Sequence, residues 1–577
     1  MPLTKVNTSM MSYGGGEVLS NAALGLSALN ANTTGTNNTA LGYQSLIVNT
    51  TGTNNTGVGY LTGYAITTGQ YNTAVGSQAL QANTTASANT AVGYQAAFAN
   101  TTGLYNVAVG FNALYSNTTG NQNNAVGYQA LTANTTGINN NSFGLQSMYS
   151  NTTGSNNTAF GHTVMFSNTT GSNSSAFGLE AGYYNTTGEV VAIGYQALKA
   201  NTTGTQNTAV GTLALQANTT GNYNTALGRQ ALQANTTNQQ MTSVGYQSGY
   251  NLNGQHSTAI GWQAGYGGGT YASNAAYDGV FVGGQAGYNT TAEGQVFVGY
   301  QAGYSNTSGT NNVAIGRLAL YANTTASDNT AVGYQAGYNN QTGTGLTLVG
   351  KGAGLAVTGN YNTILGWRGG EAITSGAGNT IVGALAGSLS TGSKNTFVGG
   401  PVIGVTNGCA SAMTTGSSNT IIGNYNGNQN SLDIRTSNNY VVLSDGDGTL
   451  NRVFDPNSHM YIQGVKYKIF YFNGRAAGNT TWSVDCTIED DSSEGTFAYI
   501  QCSFAHHPSY DCALDAWYSR RGTSTASSYE QFRRDTGNSG NWAISSPSNT
   551  ILRITHNAGT YSGPGPWWVR VILRNQG

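Results

Sequence analysis

The sequence predicts an all-β protein: a trimeric parallel β-solenoid or β-roll shaft of about 24 coils, followed by a C-terminal β-sandwich knob. Three observations predict it. A short motif, small–bulky–Gly, recurs at near-constant spacing through most of the chain. Charge almost vanishes from that part: residues 1–450 hold 18 charged side chains, about 4%, whereas residues 451–577 hold 21, about 17%. Five of the seven Trp and five of the seven Pro also follow residue 450, so the composition breaks there, as at a domain boundary. The chain divides accordingly into an N-terminal segment, 1–20, a repetitive shaft, 21–430, a junction, 431–454, and a tip, 455–577.

The shaft is read from its period. Anchor glycines run from Gly25 to Gly423, 24 in all; of the 23 intervals, sixteen are 17 residues, five are 16, one is 22 and one is 24. The unit reads roughly N-T-A-V-G-Y-Q-A-L-x-x-N-T-T-G-x-x. Seventeen residues are too few for a helical hairpin or a propeller blade but suit one coil of a stacked β structure. The spacing predicts two short β segments per coil, bent at the anchor glycine, with N-T-T-G making the return turn. Coils stacked at about 4.8 Å give a rod of roughly 110 Å. The Asn four residues before each anchor is expected to form a ladder, its amide bonding to the coils above and below. Stacking also explains the missing charge, because a charged position would repel its own copy one strand away. Each coil offers about three sizeable apolar side chains, a thin core, so parallel chains are expected to pack side by side, most simply three.

Composition excludes several classes. With 19 Lys+Arg against 20 Asp+Glu there is no basic field for nucleic acid. Four Cys cannot staple 577 residues. No stretch approaches the ~18 apolar residues of a membrane span, and the glycines lack a collagen period. The opening MPLTKVNTSMMSYGGGEVLS has no apolar secretory core, so synthesis in a cytoplasm is expected, and the many Asn-x-Thr triplets are read as turn chemistry.

The tip alternates in β fashion, with strands expected at 461–472, 481–489, 496–505, 513–518, 528–533, 551–555 and 567–573. A hairpin through Asp490–Gly495 is expected to join the second and third, with Cys486 and Cys502 flanking it as cross-strand neighbours and Cys512 left over. Reduced thiols are the expectation in a protein made in a cytoplasm. Glu489, Asp490, Asp491 and Glu494 are the residue types of a glycan-cleaving carboxylate pair, yet all crowd one polar loop, and a solvated turn is expected. Asp445-Gly-Asp447-Gly opens like a calcium loop but lacks its closing Glu and reads as a turn. His506-His507 would need three chains on an axis to hold a metal, and no metal or other cofactor is expected. The candidate binding set is aromatic and basic: Trp517, Tyr518, Arg520, Arg521, Tyr529, Arg533, Arg534 and Trp542. Aromatic faces pack on sugar rings, and Arg forks take carboxylate or phosphate.

The motif at Asn312-Val313-Ala314-Ile315-Gly316 resembles the head repeat of trimeric autotransporter adhesins, a left-handed parallel β-roll three chains wide. The resemblance covers about residues 20–425 and departs from that family in its longer, N-T-T-G-bearing turn. The opening Met1-Pro2-Leu3-Thr4-Lys5-Val6 and the segment Asn439–Gly448 resemble the start and the distal junction of tailed-phage fibres. Together these imply a homotrimeric virion tail fibre. Its N-terminus would grip a tail or baseplate protein, and its tip would bind a host surface glycan or outer-membrane receptor without catalysis. A self-assembling adhesin or filament is the structural alternative and a glycan-degrading spike the enzymatic one. An ice-binding face is disfavoured because adjacent threonines such as Thr202-Thr203 diverge.

Overall fold

The computed structural model describes residues 20–456 except 253, 268–277 and 402–407, and beyond 456 the backbone of nine strands between His459 and Asn575. Every element among the described residues is a β-strand. Twenty-four coil strands, β1 (Ala22–Leu24) to β24 (Thr420–Ile422), build a β-solenoid at one strand per coil. The chain falls into two compact units, residues 1–329 and 330–577. In the first, β1 to β18 (Val313–Ile315) pair successively in parallel, for example Thr73↔Thr90, Ala74↔Ala91 and Val75↔Val92. In the second, β19 (Thr330–Val332) to β24 do the same.

The coil Asn89–Tyr105 shows how the sequence makes the fold. Its strand, Thr90–Val92, bonds to both neighbours: Thr90 N–H donates to Asn106 O and the anchor Gly93 N–H to Val75 O, each at 2.8 Å. The second expected β segment does not form. After the anchor, Gln95 (φ 53°) and Ala97 (φ 50°) are left-handed, so the chain runs as successive turns. It still bonds along the stack, with Gln95 N–H to Ser77 O (3.0 Å) in one direction and Ala97 N–H to Ala113 O (2.9 Å) in the other. A non-glycine residue is left-handed at a cost of about 1 kcal/mol or more, so sequence alone argues against that conformation. One signal for it was present: the position four after the anchor is frequently Leu or Gly, and both occupy the same left-handed region, Leu114 at φ 53° and Gly303 at φ 59°.

In coils that follow the consensus, two buried asparagines close the coil. Asn89 Nδ2 crosses the interior to donate to Gly103 O (2.9 Å), and Asn100 Nδ2 donates to the same carbonyl (3.0 Å). Asn38 and Asn49 converge likewise on Gly52 O, and Asn123 and Asn134 on Gly137 O. The expected ladder is therefore shared between two columns. Asn89 Oδ1 accepts the backbone N–H of Asn106 (2.9 Å), while the steady amide-to-amide ladder belongs to the N-T-T-G asparagine, Asn134→Asn117→Asn100→Asn83 at 2.7–3.0 Å. The first Thr of the turn adds Thr101 Oγ1 to Thr118 O at 2.9 Å.

The hydrophobic interior is small and volume-matched. Where the strand centre is Ala, as at Ala108, the fourth residue after the anchor is commonly a buried Leu, here Leu114. Where the centre is large, as at Phe297, that position is Gly303, and a Cβ there would lie 2.4 Å from the Phe297 ring. The solenoid ends where strand direction changes. Strand β24 pairs in parallel with β27 (Val441–Ser444), which pairs antiparallel with β28 (Leu450–Phe454). Asp445 turns the corner, its Oδ1 accepting the N–H groups of Asp447 (3.0 Å) and Thr449 (2.8 Å), so the Asp-Gly-Asp-Gly motif is a turn.

Beyond it, β30 (Val465–Ala476), β37 (Gly565–Asn575), β32 (Thr496–His507), β33 (Tyr510–Arg520) and β34 (Ser528–Arg534) pair antiparallel in that order. A separate sheet runs β31 (Trp482–Thr487), β36 (Ile551–Asn557), β35 (Asn541–Ser548). The expected hairpin between β31 and β32 is thus replaced by long-range pairing, and Cys486, opposite Leu552, is not a cross-strand neighbour of Cys502, opposite Leu514. Strand β35 was missed because Asn, Ser and Pro dominate it. Glu489, Asp490, Asp491 and Glu494 lie outside the described residues.

Four substitutions test this account by thermal melting. The anchor Gly93 has φ +137°, and an added Cβ would meet Gly110 O at 2.4 Å, so Gly93→Ala is expected to cost more than ~3 kcal/mol. At Gly103 an added Cβ would also meet a carbonyl, Gly120 O at 2.3 Å, but no left-handed φ is involved and Ala86 and Ala326 already occupy the equivalent turn position, so Gly103→Ala should cost less than Gly93→Ala. Phe297→Ala should cost roughly 3–5 kcal/mol, and adding Gly303→Leu, which rebuilds the Ala/Leu coil, should restore most of it; no recovery would refute the volume matching.

Candidate functional site

The structure places most of the predicted tip residues on neighbouring strands. Trp517, Tyr518 and Arg520 lie on β33 and Tyr529, Arg533 and Arg534 on β34, with Tyr518 directly opposite Tyr529 and Trp517 opposite Glu530. A register shift between Asp515 and Ala516 sets Arg533 against Asp515 and Arg534 against Leu514. Trp542 is on β35 in the other sheet, across from His556, and so is not brought to that strand pair by backbone pairing. Arg521 lies outside the described residues.

On the shaft, the outward faces form columns, one residue per coil. The residue before each anchor is Val, Leu, Ile or Phe in all 24 coils, and it points out of the coil. Val92 is 36%, Ile193 38% and Leu227 48% exposed. Two residues earlier, on the same strand face, stand Thr, Val, Ala, Asn or Ser, never a charge. The sequence shows both columns plainly but not their direction: that the small residue between them is the buried one follows only from the coil's closure.

The column just after the anchor is different in kind. It carries exposed aromatics, including Tyr94, Tyr128, Trp262 and Tyr300, and also tolerates cations. Arg229 lies over the Tyr246 ring at 5.8 Å, Arg317 over Tyr300 at 5.9 Å and Lys351 over Tyr334 at 5.8 Å. A further column, five after the anchor, stacks Tyr250, Tyr266, Tyr288, Tyr304 and Tyr321 with centroids 5.0–5.3 Å apart. Their faces cover one another, so ring edges are what solvent meets. Burial foremost, then the neighbouring phenols, pushes the Tyr266 and Tyr304 hydroxyls up.

Reactive chemistry is sparse among the described residues. No three His, Cys, Asp or Glu side chains gather there as a metal set would. The ion pairs are surface ones: the hydrogen bond from Lys199 at 2.7 Å holds the Glu180 carboxyl below its ordinary range, and Arg368 reaches Glu371 at 2.7 Å. Such solvent-exposed pairs contribute little to stability. Cys409 is fully buried, and burial pushes its thiol up to about 12. No known protein family, curated protein or solved structure matches the chain. What the described residues define is a β-solenoid repeat protein whose distinguishing surfaces are side-chain columns.

Cys409 gives a simple check on the burial of the shaft interior. In native protein at pH 8 it should stay unmodified by a disulfide reagent, with mass spectrometry of the labelled peptide as readout, and should react fully once the chain is unfolded.

Proposed function

We propose that the chain is a non-enzymatic fibre of a tailed-phage virion: a homotrimeric shaft whose C-terminal tip binds a host surface glycan or outer-membrane receptor, with residues 1–20 attaching to a tail or baseplate protein. The observation that carries the reading is the outward strand face, apolar before every anchor and free of charge two residues earlier. A parallel sheet is ordinarily covered on both faces, and this one is covered by its own coil on the inner face only. At about 50 Å² of exposed aliphatic surface per coil, the 18 coils of the first unit offer on the order of 900 Å². A stable interface needs ~800 Å² per partner. A surface repeating every ~4.8 Å is matched throughout only by another of the same period, which points to copies of this chain. The cation-bearing column beside it then forms the solvent-facing rim, where charge is tolerated.

The shaft as spacer and the aromatic, basic strand pair of the tip as contact give the division of labour a fibre needs. The alternative of a self-assembling adhesin shares the trimeric shaft and differs in lacking a virion partner.

Native mass measurement should give three times 59.6 kDa. Val92→Asp with Val109→Asp, which charges the strand face, should dissociate or destabilise the assembly. A soluble wild-type monomer overturns the trimer. Removing residues 455–577 should leave a trimeric rod that no longer attaches to host cells, and retained attachment would move the receptor site to the shaft.

A further inference from the structure

The column after the anchors carries large rings in some coils and small residues in others, and at one place a glycine stands between two exposed rings. Trp262 and Tyr300 stand two coils apart, 47% and 44% exposed, and the coil between them presents Gly284. Two strand steps separate their backbones by about 9.6 Å. A Cβ built on Gly284 would lie 3.4 Å from Tyr300 Cδ2 and 3.7 Å from Trp262 Cε3, in ordinary contact with both rings. The glycine is therefore not demanded by strain or by a close backbone neighbour, as the anchors are. What it does is leave a slot, with an indole wall, a phenol wall and a backbone floor. The backbone beneath the walls is fixed, since Gln285 N–H donates to Trp262 O at 2.8 Å and Gln301 N–H to Gly284 O at 2.9 Å.

Beside the floor runs a ladder of glutamine amides. Gln285 Nε2 donates to Gln263 Oε1 (3.0 Å), and Gln285 Oε1 accepts from Gln301 Nε2 (2.9 Å). An amide so engaged keeps a second N–H and a second lone pair, and Gln285 is the residue next to the floor in the chain. On the far side of Tyr300 the Arg317 guanidinium covers the ring face at 5.9 Å, which leaves the slot side as the open one. Elsewhere in the same column Tyr94, Phe111 and Tyr128 take up one another's faces by stacking at 5.2 Å.

We propose that Trp262, Gly284 and Tyr300 form a binding slot for one pyranose residue of a polysaccharide. The sugar's axial C–H bonds would pack on the electron-rich ring faces, and its equatorial hydroxyls would bond to the Gln285 amide. The slot stands on the cation-tolerant column, outside the strand face assigned to trimer contacts, and does not depend on the chain being a virion fibre.

The test uses the full chain, titrated by saturation-transfer NMR and calorimetry with hexaoses of glucose, N-acetylglucosamine and galacturonic acid, and separately with adenosine. At least one hexaose should bind. Gly284→Ala, which fills the floor without strain, and Trp262→Ala should each weaken that binding at least tenfold. Trp367→Ala, an exposed Trp of the same column elsewhere on the shaft, should leave it unchanged and serves as the folding-matched control. Binding of no hexaose, or hexaose binding indifferent to Gly284→Ala, overturns the proposal; adenosine binding lost in Gly284→Ala with no hexaose bound would reassign the slot to a planar ring.

Discussion

Every side chain of the shaft lies one strand spacing, about 4.8 Å, from its counterpart in the next coil, and most of the structure follows from that translation. A residue type survives if it can bond to or pack on itself. Asparagine does so twice per coil, through Asn89 and Asn100 and their stacked copies, and the two amides meet at the Gly103 carbonyl. That convergence ties strand, turn and neighbouring coil together in the buried interior, where an unpaired amide would cost about 1–3 kcal/mol. Tyrosine, glutamine and threonine form their own columns for the same reason. Lysine, arginine and glutamate cannot, and several of them sit over an aromatic ring or against a single opposite charge, as Arg229 and Glu180 do.

The translation also accounts for the backbone. With so short a coil, the chain must turn while keeping its N–H and C=O groups along the axis. It does so with left-handed residues two and four after the anchor, including Gln95 and Ala97. The strain is local and small, and the hydrogen bonds that it permits recur in every coil. The anchor glycine is where no compromise exists, because its φ, +137° at Gly93, is one that side chains avoid and a carbonyl of the next coil also occupies the space of a Cβ. Interior volume is exchanged between strand centre and turn, Leu114 with Ala108 or Gly303 with Phe297, so the coil keeps its size while its residues vary.

A stack so uniform has little with which to recognise anything, and both proposed contact sites lie where the repetition is broken. One such place is the change of strand direction at β27 and β28, which ends the stack and introduces the antiparallel strands bearing Trp517, Tyr518 and Tyr529. Gly284, between the exposed rings of Trp262 and Tyr300, is another. The face that is never broken, the aliphatic residue before each anchor, is the one proposed to meet a partner of identical period.

How much of this was legible depended on range. The anchor period, the coil number, the all-β class and the meaning of N-T-T-G came from the sequence alone, because a repeat states its local structure two dozen times and each copy averages out the exceptions. The ladder of asparagines was legible in kind but not in connection, since which amide meets which carbonyl depends on the coil's closure. The tip strands were mostly visible by alternation, whereas their pairing was not: β31 passes over its sequence neighbour to join β36, a choice made by packing between distant segments. So the sequence by itself determined the repeat, the avoidance of charge and the positions where only glycine fits, all of which are consequences of a one-strand translation. Only the tertiary structure decided which column is buried and which faces outward, because a 17-residue unit has no inside until its ends meet the coils above and below.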